Sequence, residues 1–243
     1  INLSLLITYP IMRLVEASKK VRNGDLNVKV EPMSQDELAL LTENFNEMIV
    51  SIRDSKKKIL DSYDSTLEGW SKALEYRNEE TKGHTDRVVH LMMKSAEKLG
   101  IDGTQLEHVR RGALLHDIGK MAIPDVILNK PHSLSIEEQE IMKMHPVYAC
   151  EMLKEIDYLR PALTIPYCHH EHWDGSGYPR GLKGEDIPLE ARIFALVDAW
   201  DAITTDRPYR GAMAKLDAVQ TIRNEIGSHF DPGIAERFLD LVI

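Results

Sequence analysis

What most constrains this chain is a set of ionisable side chains placed inside apolar helical sequence. In LLHDIGK, His116 and Asp117 close a segment whose Leu106, Val109, Ala113 and Leu114 recur at helical spacing. Asp198 interrupts the apolar run IFALV, His145 stands directly before Pro146, and His169 and His170 are adjacent at another helix end. Glu80 and His84 are four apart, so one helical face presents both. A buried carboxylate or imidazole pair costs several kcal/mol unless it is paired or bound to a metal. One such residue is most simply a satisfied core group. Four independent instances at helix ends or inside an apolar helix, His116-Asp117, His145, His169-His170 and Asp198, call for a fold that gathers them. Mixed histidine and carboxylate donors suit borderline transition metals such as iron, manganese or zinc. The candidate ligands are too many for one ion, which implies two or three ions with Asp117 able to bridge two of them.

The rest of the body is helical in pattern. TDRVVHLMMKSAEKLG sets Val88, Leu91, Met92, Ala96 and Leu99 on one face, and Lys98 and Gly100 stand where a helix ends. Thr104 is an expected cap for the next helix, and Ser135 with Glu138 forms a capping box. His145 ends one helix and Pro146 restarts another in its first turn. LEARIFALVDAWDAITT and the tail add three more helices. No strand alternation and no internal repeat stand out, so the expected class is all-α. Of the ten histidines, His90, His108, His132, His172 and His229 have no companion at a useful offset and read as surface or hydrogen-bonded core residues.

Charge and cysteine usage narrow the function further. The first 59 residues hold nine Lys/Arg and eight Asp/Glu, a balance of +1, and the remainder holds 21 against 31, or −10. An acidic body is a poor general nucleic-acid binder, so no DNA or RNA duplex binding is expected. Metal cations held by acidic side chains still leave room for an anionic substrate. Cys150 and Cys168 form no disulfide framework and read as buried small apolar residues.

The amino-terminal stretch has a different grammar. INLSLLITYP is too short to cross a bilayer, which needs about 20 apolar residues. With Arg13, Lys19, Lys20 and Arg22 behind it, it reads as the end of a membrane span over residues 1–9. A helix over residues 10–23 stops at Gly24-Asp25, an extended connector alternates Leu26, Val28 and Val30, and a second helix begins near Asp36. Its Leu38, Leu41, Phe45, Met48 and Ile52 repeat every three or four residues, a narrow seam that wants a partner helix. Pro10, Gly24-Asp25-Leu26 and QDELALLTENFNEMI together resemble a HAMP linker over residues 10–55. That resemblance implies a parallel four-helix bundle closed only in a homodimer, on the cytoplasmic side of the bacterial inner membrane, relaying a signal. A plain dimerisation stalk is the alternative. Residues 56–64 read as a helical linker.

LLHDIGK and HHEHWDGSGYP, with RNEETKGHTDR, His145-Pro146 and VDAWDAITTDRPYR, resemble an HD-GYP phosphodiesterase domain over residues 65–243. The resemblance implies hydrolysis of cyclic di-GMP to pGpG, and in some cases GMP, with two or three transition-metal ions, iron or manganese. Carried over by position, the implied metal ligands are Glu80, His84, His116, Asp117, His145, His169, His170 and Asp198, with Glu80 supporting a third ion. Asp117 and Lys120 are the implied catalytic groups, and Lys120, Arg207 and Arg210 the implied phosphate contacts; a guanidinium fork matches phosphate oxygens. Asp201, one turn from Asp198, and Glu171 are expected behind the metal ligands, orienting them. Gly175 and Gly177 free the backbone near a dinucleotide or a docking protein, and Tyr178 either stacks on a guanine or packs. Two rival readings stay open: hydrolysis of another cyclic dinucleotide, and a catalytically silent receptor or scaffold.

Overall fold

A computed structural model describes residues 7–78, 83–206 and 211–243. It contains eleven α-helices among the described residues and no strand: α1 (Tyr9–Arg22), α2 (Glu37–Arg77), α3 (His84–Lys98), α4 (Gly103–Leu114), α5 (Asp125–Leu128), α6 (Ile136–Met142), α7 (His145–Leu153), α8 (Thr164–Cys168), α9 (Leu189–Thr204), α10 (Lys215–Asn224) and α11 (Pro232–Val242). The chain is all-α, and it divides into two compact units, Ile1–Ser65 and Thr66–Ile243.

In the first unit, Pro10 sits in the opening turn of α1, where its missing N–H costs nothing, and Lys19, Lys20 and Arg22 lie in the last turn, facing the negative end of the helix dipole. Gly24 then takes φ +93°, which only glycine adopts freely. The connector has no regular structure, and its Val30 is pinned from both sides by one side chain. The Val30 amide donates to Asn46 Oδ1 (3.0 Å), and Asn46 Nδ2 donates back to the Val30 carbonyl (2.8 Å). Asp36 caps α2 by accepting from the Leu38 amide (2.9 Å). The residues buried within the unit are Pro10, Ala17, Val30, Thr42 and Ile49 among those described. Thr42 and Ile49 face inward, Leu38 and Phe45 of the expected seam are half-buried, and Leu41, Met48 and Ile52 of that seam are exposed in the single chain, as are Ile11, Met12 and Val15 of α1. The helical linker expected over 56–64 is continuous with the helix before it, so that α2 runs unbroken for 41 residues.

In the second unit α9 is central. Ala191, Ile193, Phe194, Ala195, Leu196 and Val197 are all buried, so the helix is apolar nearly all round and must be surrounded. Val88, Met92 and Ala96 of α3, Val109 and Ala113 of α4, Ile222 of α10, and Ala235, Phe238 and Leu239 of α11 close around it. A second cluster joins Leu67 of α2 to Leu114, Leu115, Ile118, Ala149, Leu153 and Leu159. The Ser135–Glu138 capping box forms as expected. Thr104 does not cap α4: Asp102 occupies the cap position, and the helix starts at Gly103, because the left-handed φ of +54° there marks the turn. His145 opens α7 rather than closing the helix before it, with Pro146 in the first turn.

Phe238 is 1% exposed and also meets Trp200 edge-on, with ring centroids 6.1 Å apart. Phe238→Ala is expected to cost about 3–5 kcal/mol through lost burial and the cavity left behind, read from the midpoint of urea unfolding.

Candidate metal centre

Six segments of the second unit deliver polar side chains to one place, and local backbone geometry aims each of them. Asp117 follows His116 just past the end of α4. A short 3-10 turn, Ile118–Ala122, then packs against the start of α7. Contact is so close that a Cβ on Gly119 would lie 1.9 Å from the His145 carbonyl oxygen and 2.6 Å from the Ala149 nitrogen. No side chain fits there, and the close approach sets His145 against Asp117: His145 Nε2 is 3.5 Å from Asp117 Oδ1, while His116 Nε2 is 3.2 Å from Asp117 Oδ2. One carboxylate thus faces two imidazoles from different helices.

The imidazoles are oriented by their far nitrogens. His116 Nδ1 lies 2.8 Å from the Ala113 carbonyl, His145 Nδ1 2.8 Å from the Met142 carbonyl, and His169 Nδ1 3.1 Å from the Ile165 carbonyl. A carbonyl only accepts, so each Nδ1 carries the proton and donates, leaving the Nε2 lone pair aimed inward. The Nε2 atoms of His145 and His169 are 3.2 Å apart. Two lone pairs at that distance repel unless a cation lies between or beside them. Burial pushes His145 down to about 4 and His170 down to about 3, and neighbouring imidazoles reinforce burial in holding His169 well below the ordinary range. These rings are neutral donors at physiological pH.

On the α3 side, burial opposes protonation of His84, but hydrogen bonds to Asp198 and Asp201 outweigh it and raise the imidazole to about 9. His84 Nε2 is 3.3 Å from Asp198 Oδ1, and His84 Nδ1 is 2.7 Å from Asp201 Oδ2. Asp201 is itself clamped by Arg87, whose Nε and Nη2 donate to its two oxygens at 2.6 and 2.9 Å. Burial works against ionising Asp117, yet Lys120 and His116 hold its carboxyl well below the usual range. Lys120 Nζ donates to Asp117 Oδ2 at 2.7 Å.

Two donor triads result, His145–His169–His170 and His84–His116–Asp117, each with its ligand atoms within 4.8 Å of one another. Asp117 links them, and Asp198 lies beside the second. The neutral imidazoles of His145, His169 and His170, lone pairs crowded together and an ionised carboxylate facing both triads fit transition-metal ions. The structure therefore brings together His84, His116, Asp117, Lys120, His145, His169, His170 and Asp198, and places Asp201 behind His84. Glu80, Arg207 and Arg210 lie outside the described residues.

Glu171 is a correction. Its carboxylate is buried, but Oε1 accepts from the Arg180 amide and Oε2 from the Leu182 amide, both at 2.8 Å. It touches no donor directly but ties down the loop that carries Tyr178, whose ring backs His170. The same loop is pressed onto the histidine pair, since a Cβ on Gly177 would stand 2.2 Å from the His172 nitrogen and 2.5 Å from the His170 oxygen. Tyr178 packs rather than standing free: its ring stacks on His170 with centroids 4.7 Å apart. The rings of His172 and His229 lie against each other, tilted by 43° with centroids 4.0 Å apart, and each ring is hydrogen-bonded, His172 to Ser176 and His229 to Glu225. Cys168 is buried, and burial pushes its thiol up to about 11, so it stays protonated. Arg87 was missed in the sequence, although it lies three residues after His84 and so on the same helical face.

Asp201→Asn keeps the shape but removes the charge that holds His84. The expected outcome is a drop of about 10- to 100-fold in metal affinity with the fold retained, measured by titrating the metal-stripped protein with Mn²⁺.

Comparison with known proteins places this geometry. The HD domain model matches residues 69–234, and the HAMP domain model matches residues 3–54. A cyclic di-GMP phosphodiesterase of Thermotoga maritima is 41% identical over 69% of this chain and 46% of its own length. A 3′3′-cGAMP-specific phosphodiesterase of Vibrio cholerae is 33% identical over 89% of this chain and 40% of its own. The crystal structure of a cyclic GMP-AMP-specific phosphodiesterase of V. cholerae superimposes with a TM-score of 0.56 at 23% identity, over 73% of this chain and 48% of that one, a likeness of fold. The chain thus spans less than half the length of these relatives. It belongs to the HD domain family, in its HD-GYP branch, with a HAMP domain on its amino-terminal side.

Proposed function

We propose that this chain is a metal-dependent phosphodiesterase that hydrolyses cyclic di-GMP, opening it to linear pGpG and, in a second round, to GMP. The observation that carries the reading is the pair of donor triads joined by Asp117, with imidazole lone pairs converging on one small volume. Relatives named for cyclic di-GMP hydrolysis, at 34% and 41% identity, support the substrate class.

The residues that would hold two ions are His84, His116, Asp117, His145, His169, His170 and Asp198, with Glu80 completing a third site; iron or manganese suits this donor set. Bound there, such ions supply positive charge to phosphate oxygens and acidify the attacking water. The chain's own groups do the rest. Asp117 stays ionised between its two histidines, and Asp201 with Arg87 keeps His84 in one tautomer. Lys120 adds positive charge where the phosphorane develops. Arg207 and Arg210 grip the phosphates. Water's oxygen bonds to phosphorus as the ribose 3′ oxygen leaves and takes up a proton.

The proposed organisation is the end of a membrane span over residues 1–9, a HAMP module over 10–55, a helical linker over 56–64 and the phosphodiesterase domain over 65–243. The exposed Ile11, Met12, Val15, Leu41, Met48 and Ile52 support a homodimer that buries these faces, anchored at the cytoplasmic side of the inner membrane. Hydrolysis of 3′3′-cGAMP is a second reading, favoured by the relative of that specificity.

With protein purified without chelator or air, two or three ions per chain by elemental analysis and turnover of cyclic di-GMP are expected. Asp117→Ala should abolish turnover, and chelation should remove it until Mn²⁺ or Fe²⁺ is restored. Faster hydrolysis of 3′3′-cGAMP would favour the second reading, and metal-free protein holding cyclic di-GMP uncleaved would make the chain a receptor.

Inserting one, two or three residues between Ser55 and Ser65 turns the following helix by about 100° per residue. Activity is expected to change with insertion phase; equal activity in all three would exclude a relay through α2.

A further inference from the structure

Arg77, the last residue of α2, makes contacts that the chemistry above does not use. Its Nη1 donates to the carbonyls of Lys120 (3.1 Å) and Met121 (2.8 Å), and its Nη2 to that of Ile123 (2.6 Å). Its Nε donates to Asp125 Oδ1 at 2.8 Å. These carbonyls lie at and just after the end of the 3-10 turn Ile118–Ala122, where a helix leaves acceptors to be filled; that of Lys120 also accepts from the Ile123 amide at 3.1 Å. A guanidinium can meet three of them at once because its donors form a rigid fork.

That turn has little freedom elsewhere. Its Lys120 amide donates to the Asp117 carbonyl at 2.8 Å, so it is continuous with the bridging carboxylate. Gly119 presses it onto the His145 backbone with no room for a methyl group. The last turns of α2 also reach the far side of the triad that contains Asp117: Glu75 accepts from the amides of Gly83 and Thr85, both at 3.3 Å, on either side of His84. The end of α2 therefore grips the backbone on both sides of the metal centre.

We propose that Arg77 is a positioning residue for the metal centre: by holding the carbonyls of the turn after Asp117, it sets the distance between the bridging carboxylate, Lys120 and His145. This rests on the metallophosphodiesterase reading of the site. Asp125 is a minor partner, since its side chain is 71% exposed and an ion pair there is screened by water. The grip on the carbonyls carries the effect. A displacement of the last turn of α2 carries the catalytic turn with it.

The test compares Arg77→Met, which keeps an apolar stem and loses every donor, with Arg77→Lys and Asp125→Asn, all in the full chain. Hydrogen exchange is read for the segment 115–124 and, as reference, for the α9 segment 190–200. Mn²⁺ binding and the kcat and KM for cyclic di-GMP are measured alongside. Arg77→Met is expected to speed exchange in 115–124 while 190–200 is unchanged, and to lower Mn²⁺ affinity and kcat by about 10- to 100-fold with KM little altered. Arg77→Lys should recover part of this, and Asp125→Asn should change kcat by less than about fivefold. Faster exchange in both segments alike would make Arg77 a general stability residue and overturn the proposal. Unchanged exchange and Mn²⁺ binding in Arg77→Met, or an Asp125→Asn effect as large as that of Arg77→Met, would overturn it too. If the unmodified chain turns over no cyclic dinucleotide, the phosphodiesterase reading fails, while exchange and Mn²⁺ binding still decide the role of Arg77.

Discussion

The second unit is organised around the approach of Asp117 to His145. Asp117 comes from the end of α4 and His145 from the start of α7, and they meet because the turn between has a glycine where its backbone touches α7. Had position 119 any side chain, α7 would have to back away, and the carboxylate would lose one of its two imidazole neighbours. Lys120 and His116 would still hold the carboxylate ionised, but His145 would no longer face it, and the link between the two donor triads would be lost. Packing and the meeting of the two donor triads thus hang on a single close backbone contact.

Around that contact the protein spends its polar groups in layers. Backbone carbonyls one turn back take the Nδ1 protons of His116, His145 and His169, which leaves Nε2 free without any further side chain. His84 is the exception, for it leans on Asp201, and Asp201 in turn on Arg87. It is the donor whose protonation is most strongly favoured, because carboxylates and not carbonyls surround it. Phe194 closes the apolar side, with its ring centroid 4.9 Å from that of His116. The low dielectric this creates both neutralises the histidine cluster and raises the value of any cation brought to it.

The loop that carries Gly177, Tyr178 and Pro179 shows how a surface-looking motif can belong to the interior. Glu171 binds two of its amides, Gly177 lies flat on the backbone of residues 170–172, and Tyr178 covers His170. Its far end is tied to the carboxy-terminal region, where the Trp173 and Asp174 amides donate to the His229 and Ser228 carbonyls at 3.0 and 2.8 Å. A loop held in this way supports a donor histidine from behind.

Much of this was legible before any coordinates. The helical class, the capping box at Ser135 and the apolar face of α3 follow from short-range rules of periodicity and cap chemistry; the cost of burying charge without a partner marked His84, His116, Asp117, His145, His169, His170 and Asp198 as residues in need of company, and their joining as one ligand set was what the HD-GYP resemblance implied. What the sequence by itself determined was which residues must be inside and which of those needed company. Only the tertiary structure decided who keeps company with whom. Glu171 turned to loop amides, Tyr178 took His170 as its stacking partner, Thr42 and Ile49 turned inward while Leu41, Met48 and Ile52 stayed exposed, and Arg77 reached carbonyls more than forty residues away. The physical reason is that periodicity specifies the face of an element, whereas hydrogen-bond partners and the need for a glycine depend on how closely two backbones pass, and that distance is written only in the packing.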